Sequence, residues 1–310
     1  MIATIMKKNM TANHKKKYKF NIAVLLAAYN GIEWIEEQIN SISAQKDINI
    51  NIHIFISVDI SKDGTLELCK KFEEENNFLT VLSYGDYFGG AAKNFYRLIR
   101  DVDFRDFDYV SFSDQDDIWL PNKLSQGISI FQNNDFEAYS SDVVAFWKDG
   151  RKKLVKKSYS QKKFDYYFES PGPGCTYILR KNATELLKIF IIKNWNQVKY
   201  IESHDWFIYA FFRSRNMPWF IDNKALMLYR QHNSNQIGSN FGFLAYSKRF
   251  KMIKNGWYRS EVSKILNVVS LKNNISFNLD RWFLIRNFNQ LRRQRKGVFI
   301  LLLMIILRVF

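Results

Sequence analysis

Three carboxylates, Asp114, Asp116 and Asp117, fall within four residues of the stretch Phe112-Ser113-Asp114-Gln115-Asp116-Asp117-Ile118-Trp119-Leu120-Pro121, directly after a short apolar segment. Carboxylates this close repel one another unless a cation lies between them. A divalent metal with hard oxygen ligands, shared with a diphosphate, is the chemistry such a spacing serves. The structural alternative is that Asp117 caps the helix that Pro121 begins while the other two are solvated.

The elements that must position this cluster read as alternating strand and helix. Ile22 to Ala28 is a continuous apolar run, as a strand buried on both faces requires, and it ends at the turn signal Tyr29-Asn30-Gly31. Ile32, Ile35, Ile39 and Ile42 then recur at helical spacing. Ile50 to Val58 forms the second strand, and Asp63-Gly64-Thr65 starts a helix with Leu66, Cys69 and Phe72 on its inner stripe. Thr80 to Leu82 is a third strand, Ala92 to Ile99 is helical, and Tyr109 to Phe112 is a fourth strand that delivers Asp114 and Asp116 at its carboxyl end. Ligands of open α/β sheets bind beyond the carboxyl ends of strands, so the turns at Tyr29, Asp59 and Asp114 converge on one crevice.

The 310 residues, 47% hydrophobic with 4 prolines, suffice for one large domain, or one domain and an appendage, without a long disordered linker. Cys69 and Cys175 are the two cysteines, too few for a disulfide scaffold or a four-thiolate zinc site, and no Cys/His spacing marks Cys175 as a nucleophile. A reducing, cytoplasmic setting is expected, and Met1 to Met10 carries no secretory signal pattern. The net charge of +16 is gathered at the ends. Residues 1–19 hold six lysines and no acid, and residues 241–310 hold fourteen Lys/Arg against Glu261 and Asp280. A nearly neutral body with basic ends suits an anionic surface better than a nucleic-acid groove, so no nucleic-acid partner is expected.

The C-terminus fits that surface. After Arg292-Arg293-Gln294-Arg295-Lys296 comes the apolar run Val298 to Leu307. Ten helical residues span about 15 Å, half a bilayer core, so the run is expected to insert shallowly with the basic cluster at anionic headgroups. A terminal core helix or an oligomer contact is the alternative.

The series Leu26-Ala27-Ala28-Tyr29-Asn30-Gly31, Ser57-Val58-Asp59-Ile60-Ser61-Lys62-Asp63-Gly64-Thr65, Ala92-Lys93-Asn94-Phe95 and Ser113-Asp114-Gln115-Asp116-Asp117-Ile118-Trp119 resembles a family 2 glycosyltransferase with the GT-A fold. It is most similar to the bacterial rhamnosyltransferase-like branch that builds surface polysaccharides such as O antigen, and the likeness covers roughly residues 20 to 238. The resemblance implies an α/β domain, a mixed sheet flanked by helices, over 20–240. To this are added a basic tail at 1–19 and a basic, amphipathic helical extension at 241–310 as a candidate for membrane association.

The resemblance also assigns roles. Tyr29 and Asp59 lie against the donor nucleotide, with Asp59 accepting a hydrogen bond from the base. Asp114 and Asp116 match the Asp-x-Asp motif that supports Mn²⁺ or Mg²⁺ on the donor diphosphate, where a metal stabilises the leaving group. Gly172-Pro173-Gly174-Cys175-Thr176 matches the small-residue segment on the acceptor side, where glycine permits close approach of backbone; an ordinary turn is the alternative. His204-Asp205-Trp206 stands where the family carries its catalytic base, Asp205, with His204 and Trp206 beside it. Asp205 capping the helix that begins at Trp206 is compatible with that role. Tyr229-Arg230-Gln231-His232-Asn233, with Asn235 and Gly238, completes the pattern. It makes His232 a third metal ligand or a diphosphate contact, and Arg230 a phosphate donor.

Three positions depart from the family. Val58 stands where a second carboxylate is common, Ile60 where glycine eases the turn, and Ala28 where threonine precedes Tyr-Asn. The resemblance implies an inverting, metal-dependent transferase of a rhamnose-like sugar. Its donor is a nucleoside-diphosphate sugar and its acceptor a lipid-linked saccharide at the inner face of the cytoplasmic membrane, with an oligomer compatible. The alternative is a membrane-peripheral binding or scaffolding protein of the same fold, impaired in turnover; Val58 and Ile60 are its best support, and the intact Asp114, Asp116 and Asp205 speak against it. A nucleotidyltransferase is not expected, because no glycine-rich loop with Arg and Lys follows the first strand.

Overall fold

The computed structural model describes residues 20–47, 49–232, 255–270 and 279–310. Its centre is a seven-stranded sheet in the order β10-β6-β9-β4-β1-β2-β3. The strands are β1 (Phe20–Ala28), β2 (Ile50–Val58), β3 (Leu79–Val81), β4 (Tyr109–Asp114), β6 (Ala138–Ser141), β9 (Ile178–Arg180) and β10 (Trp219–Asp222). β1 runs parallel to β2 and β4, and β9 is antiparallel to β4 and β6, so the sheet is mixed. The first four strands are the expected ones, with β1 starting earlier at Phe20 and β3 one residue earlier at Leu79.

Side-chain alternation along β1 divides the core in two. Ile22, Val24, Leu26 and Ala28 face one apolar layer, with α1 (Ile35–Ser43), α2 (Thr65–Glu75) and α4 (Lys123–Asn133). Ala23, Leu25 and Ala27 face the other, with α3 (Ala91–Asp101), α5 (Lys181–Lys193), α6 (Trp195–Val198) and α7 (His204–Ser214). A second sheet, in the order β5-β11-β7-β8, joins β5 (Ile118–Trp119), β7 (Val143–Trp147), β8 (Lys152–Val155) and β11 (Met227–Gln231). It is this sheet that carries Arg230 to the acidic loop.

The extension is helical, with α8 (Trp257–Val269), α9 (Arg281–Arg286) and α10 (Arg295–Ile306), but its described part is no appendage. Val262, Ile265, Leu284, Leu301, Ile305 and Phe310 belong to the same buried cluster as Phe207 and Phe211 of α7. The expected boundary at 240 lies outside the described residues.

The basic cluster is also only partly available to headgroups. Arg293 is buried with its guanidinium 3.0 Å from the buried Asp165, and Arg292 reaches Glu169 at 3.4 Å and the Tyr258 hydroxyl at 3.1 Å. Buried carboxylates need partners, and these two arginines supply them. The outer residues Arg295, Lys296 and Arg308 remain exposed.

Candidate active site

The carboxyl end of β4 turns through Asp114-Gln115-Asp116-Asp117 into β5. Asp117 is fully buried and accepts the backbone N–H of Arg230 at 3.0 Å. It is therefore not the cap of α4, which begins six residues later behind Asn122 with no side-chain cap. Burial, then the neighbouring Asp116, pushes the Asp114 carboxyl up to about 7. The same causes, burial first, raise Asp117 as well. The Lys123 ammonium sits under this cluster, 3.4 Å over the Trp119 ring and 3.3 Å from the Ser111 hydroxyl, and burial pulls it down to about 7.

Gln115, the middle residue of the motif, has a role that motif reading missed. Its side-chain carbonyl accepts the Tyr29 N–H at 2.7 Å, and its amide donates to the Tyr29 carbonyl at 2.8 Å. The β1 turn is thereby clamped to the acidic loop, with the Tyr29 ring left half-exposed at the rim. Gly31 makes the clamp possible, because a Cβ there would overlap the Gln115 amide. Gly31→Ala should therefore break both hydrogen bonds and cost about 1–3 kcal/mol. A urea titration should show a lower midpoint at an unchanged slope.

Asp59 lies at the end of β2, buried, and its carboxylate accepts the backbone N–H groups of Ile60 at 2.8 Å, Phe88 at 2.9 Å and Gly89 at 2.8 Å. It organises the loop before α3 at the carboxyl end of β2. Asn94 of α3 ties the ends of the first two strands together, donating to the carbonyls of Ala28 at 3.3 Å and Ser57 at 2.9 Å. Val58 is buried in the core, so the carboxylate missing at this position would have pointed into apolar surroundings.

Asp205 stands in the first turn of α7, and the field of its carboxylate reaches Asp114. Ser203, not Asp205, occupies the cap position; one Asp205 oxygen instead accepts the Trp206 N–H at 2.8 Å. Gly174 lies against this turn, and a Cβ there would overlap the His204 ring and stand 3.3 Å from the Asp205 Cβ. Cys175 follows, fully buried beside Asp114 and Asp117, with its thiol raised mainly by burial. Tyr177 fastens the assembly, donating its hydroxyl to the Asp205 carbonyl at 3.1 Å. His204 stacks on Phe95 with ring centroids 4.1 Å apart, and burial lowers it to about 4, which makes it a neutral packing group. Trp206 is turned inward, its indole N–H bonded to the Tyr166 carbonyl at 3.0 Å.

His232 closes the acidic side. Its Nε2 is 2.7 Å from Asp116 Oδ2, and its ring stacks on Trp34 at 4.2 Å. Arg230 donates to the Asp116 carbonyl at 2.7 Å, pairs with Glu37, and lies over the Phe146 ring. Its guanidinium thus braces the loop. Asn233, Asn235 and Gly238 lie outside the described residues.

The donor set fits a hard divalent cation. Burial first, and the Asp116 charge second, raise the Asp114 carboxyl, a penalty that a cation would relieve. Among the described residues, Asp114, Asp117 and Cys175 also bring one ligand atom each within 4.8 Å of one another. Asp117 and Cys175 are fully buried, however, and a protonated thiol does not suit a hard ion. Asp114 is partly exposed at the crevice, with Asp116 two residues on, and this pair offers hard carboxylate oxygens without the thiol.

A mixed α/β sheet with acidic, small-residue and Asp205 segments gathered at its strand ends defines a glycosyltransferase of the GT-A architecture. The chain belongs to the family described as Glycosyl transferase family 2, which it matches over residues 23–215. It is 46% identical over 291 residues to the dTDP-rhamnosyl transferase RfbG of Shigella flexneri, covering 92% of this chain and all of that one. It is 30% identical over 104 residues to the abequosyltransferase RfbV of Salmonella typhimurium, covering 34% of this chain and 30% of that one. Among solved structures it is similar to residues 1–349 of S. aureus TarS in complex with UDP, with a TM-score of 0.56 and 16% identity over 87% of this chain and 72% of that one. It is also similar to the Pyrobaculum calidifontis mannosyltransferase PcManGT in complex with GDP-Man and Mn²⁺, with a TM-score of 0.53 and 13% identity over 84% of this chain and 78% of that one. At these identities the structural likeness speaks for the fold.

Proposed function

We propose that this glycosyltransferase is inverting and metal-dependent, and moves rhamnose from dTDP-rhamnose to a lipid-linked saccharide of a surface polysaccharide such as O antigen. The observation that carries the reading is that Gly174 and Cys175 join Asp205 to Asp114 in one crevice. Asp205 takes the proton of the acceptor hydroxyl as its oxygen bonds to the anomeric carbon, and the nucleoside diphosphate leaves from the opposite face with the bonding pair. A Mn²⁺ or Mg²⁺ ion on Asp114 and Asp116 supplies, when bound, charge stabilisation for that leaving group. His232 orients Asp116, Arg230 braces its backbone, and Asp59 and Gln115 shape the nucleotide side. The 46% identity to a dTDP-rhamnosyl transferase supports the donor. Incubation with a panel of nucleotide sugars in Mn²⁺ should show dTDP-rhamnose hydrolysed fastest; preference for another sugar would overturn the donor assignment.

A lipid-linked acceptor implies a seat at an anionic membrane, and α10 supports one. Its Val298, Leu301, Met304 and Ile305 are buried, while Phe299, Ile300, Leu303 and Ile306 are exposed, with Leu307 following. Exposed Arg295, Lys296 and Arg308 flank this face. No helix among the described residues is long and apolar enough to cross a membrane.

Headgroup attraction is worth about 1 kcal/mol per basic residue and is screened by salt, whereas apolar insertion is not. Phe299→Ser with Leu303→Ser and Leu307→Ser should therefore weaken flotation with anionic vesicles and make what remains fully releasable by high salt, whereas high salt should release the wild type only partly. Removing the whole segment would be a poorer test, because Leu301, Ile305 and Phe310 hold the core. Equal flotation of both forms would point instead to a contact between copies of the chain.

A further inference from the structure

We propose that Glu261, on the C-terminal helix α8, is a positioning residue for Asp205; the inference rests on reading Asp205 as the base. Glu261 is fully buried, and one oxygen accepts the backbone N–H of Glu202 at 2.7 Å and of Ser203 at 2.9 Å. These are the two residues that precede α7, whose cap residue Ser203 offers no side-chain hydrogen bond. The first N–H groups around a helix start need external acceptors, and a carboxylate at the positive end of the helix is the strong form of one. A residue from an element more than fifty positions away therefore fixes the turn into His204 and Asp205.

Two further contacts come from α8. The Trp257 indole donates to the Glu202 carboxylate at 2.8 Å, and Tyr258 stacks on Trp206 at 5.7 Å between ring centroids. Residues 202, 203 and 206 are held from one side, and Asp205 lies between them. Lys264, 3.3 Å from the other Glu261 oxygen, balances the buried charge. Glu261 touches no reacting atom and acts through the backbone of the α7 start.

Glu261→Asp keeps the charge but withdraws the acceptor by one methylene, and Glu261→Gln keeps the acceptor without the charge. In Glu261→Asp, amide hydrogen exchange at Glu202 and Ser203 should accelerate while the middle of α7 stays protected. With dTDP-rhamnose and Mn²⁺, kcat should fall about tenfold with the donor KM within about twofold, as expected of a small misplacement of a reacting group. Glu261→Gln should restore slow exchange and most of kcat. Unchanged exchange in Glu261→Asp, or a wild-type kcat despite faster exchange, would overturn the proposal. The exchange measurement needs no donor. Wild-type turnover in a parallel Asp205→Asn variant would instead remove the base assignment and leave the structural link standing.

Discussion

Asp116→Asn should leave the fold in place and lower sugar transfer by about 10²–10³-fold, the loss typical of removing one preorganised electrostatic partner of a transition state. The side chain keeps its size, and an amide can still meet the His232 ring, which lies 2.7 Å from Asp116 Oδ2. What disappears is the negative charge that, with Asp114, would hold a cation on the leaving diphosphate. EDTA should reduce the wild type to a similar level, and Mn²⁺ should restore the wild type but not the variant. Melting curves and initial rates with and without chelator are the measurement. Full activity of Asp116→Asn in EDTA would refute metal dependence. Asp117→Asn is a less direct probe, since Asp117 is fully buried and accepts a backbone N–H from the second sheet.

The parts legible in the sequence are those where local pattern and environment agree. Ile22 to Ala28 is a continuous apolar run because its strand lies between two helical layers, and it falls within β1, while Ile50 to Val58, apolar at alternate positions, is β2 with the bounds expected. The convergence of Tyr29, Asp59 and Asp114 follows from parallel pairing, with Ala28 opposite Val58 and Ala27 opposite Asp114. The second sheet was hidden because its strands are short: Val143–Trp147 is apolar but only five residues long, and Lys152–Val155 is charged and mostly exposed, so neither shows a pairing partner.

Residues whose meaning depends on distant partners were misread or missed. Arg292 and Arg293 look like surface charge until Asp165 and Glu169, over 120 positions earlier, come against them. Gln115 is an unassigned spacer until Gly31 leaves it room to grip Tyr29. Lys123 carries no role in the sequence, yet it lies buried beneath the acidic loop, where burial lowers its ammonium to about 7. Asp59 carries, besides the nucleobase contact that the resemblance implies, a structural task with no local signal: its carboxylate holds the amides of Phe88 and Gly89.

Asp205→Asn should spare donor binding and lower transfer by about 10²-fold or more, because it removes proton acceptance and little else. The oxygen that accepts the Trp206 N–H at 2.8 Å is retained in an amide, so the start of α7 should not move. His204 cannot stand in as the base. Its ring is stacked on Phe95, and its Nε2 is buried against Gly174 with no hydrogen-bond partner among the described residues, so it does not face the crevice as a free proton acceptor. Calorimetry with dTDP in Mn²⁺ should give wild-type affinity for Asp205→Asn, while single-turnover transfer slows. Loss of dTDP binding with unchanged turnover of bound donor would place Asp205 in the nucleotide site instead. The opposite result, intact binding with slow chemistry, separates the proton-accepting side of the crevice from the diphosphate side, where Asp116→Asn fails for a different reason: its deficit should shrink with poorer metal occupancy in the wild type, whereas the Asp205→Asn deficit should persist at saturating Mn²⁺.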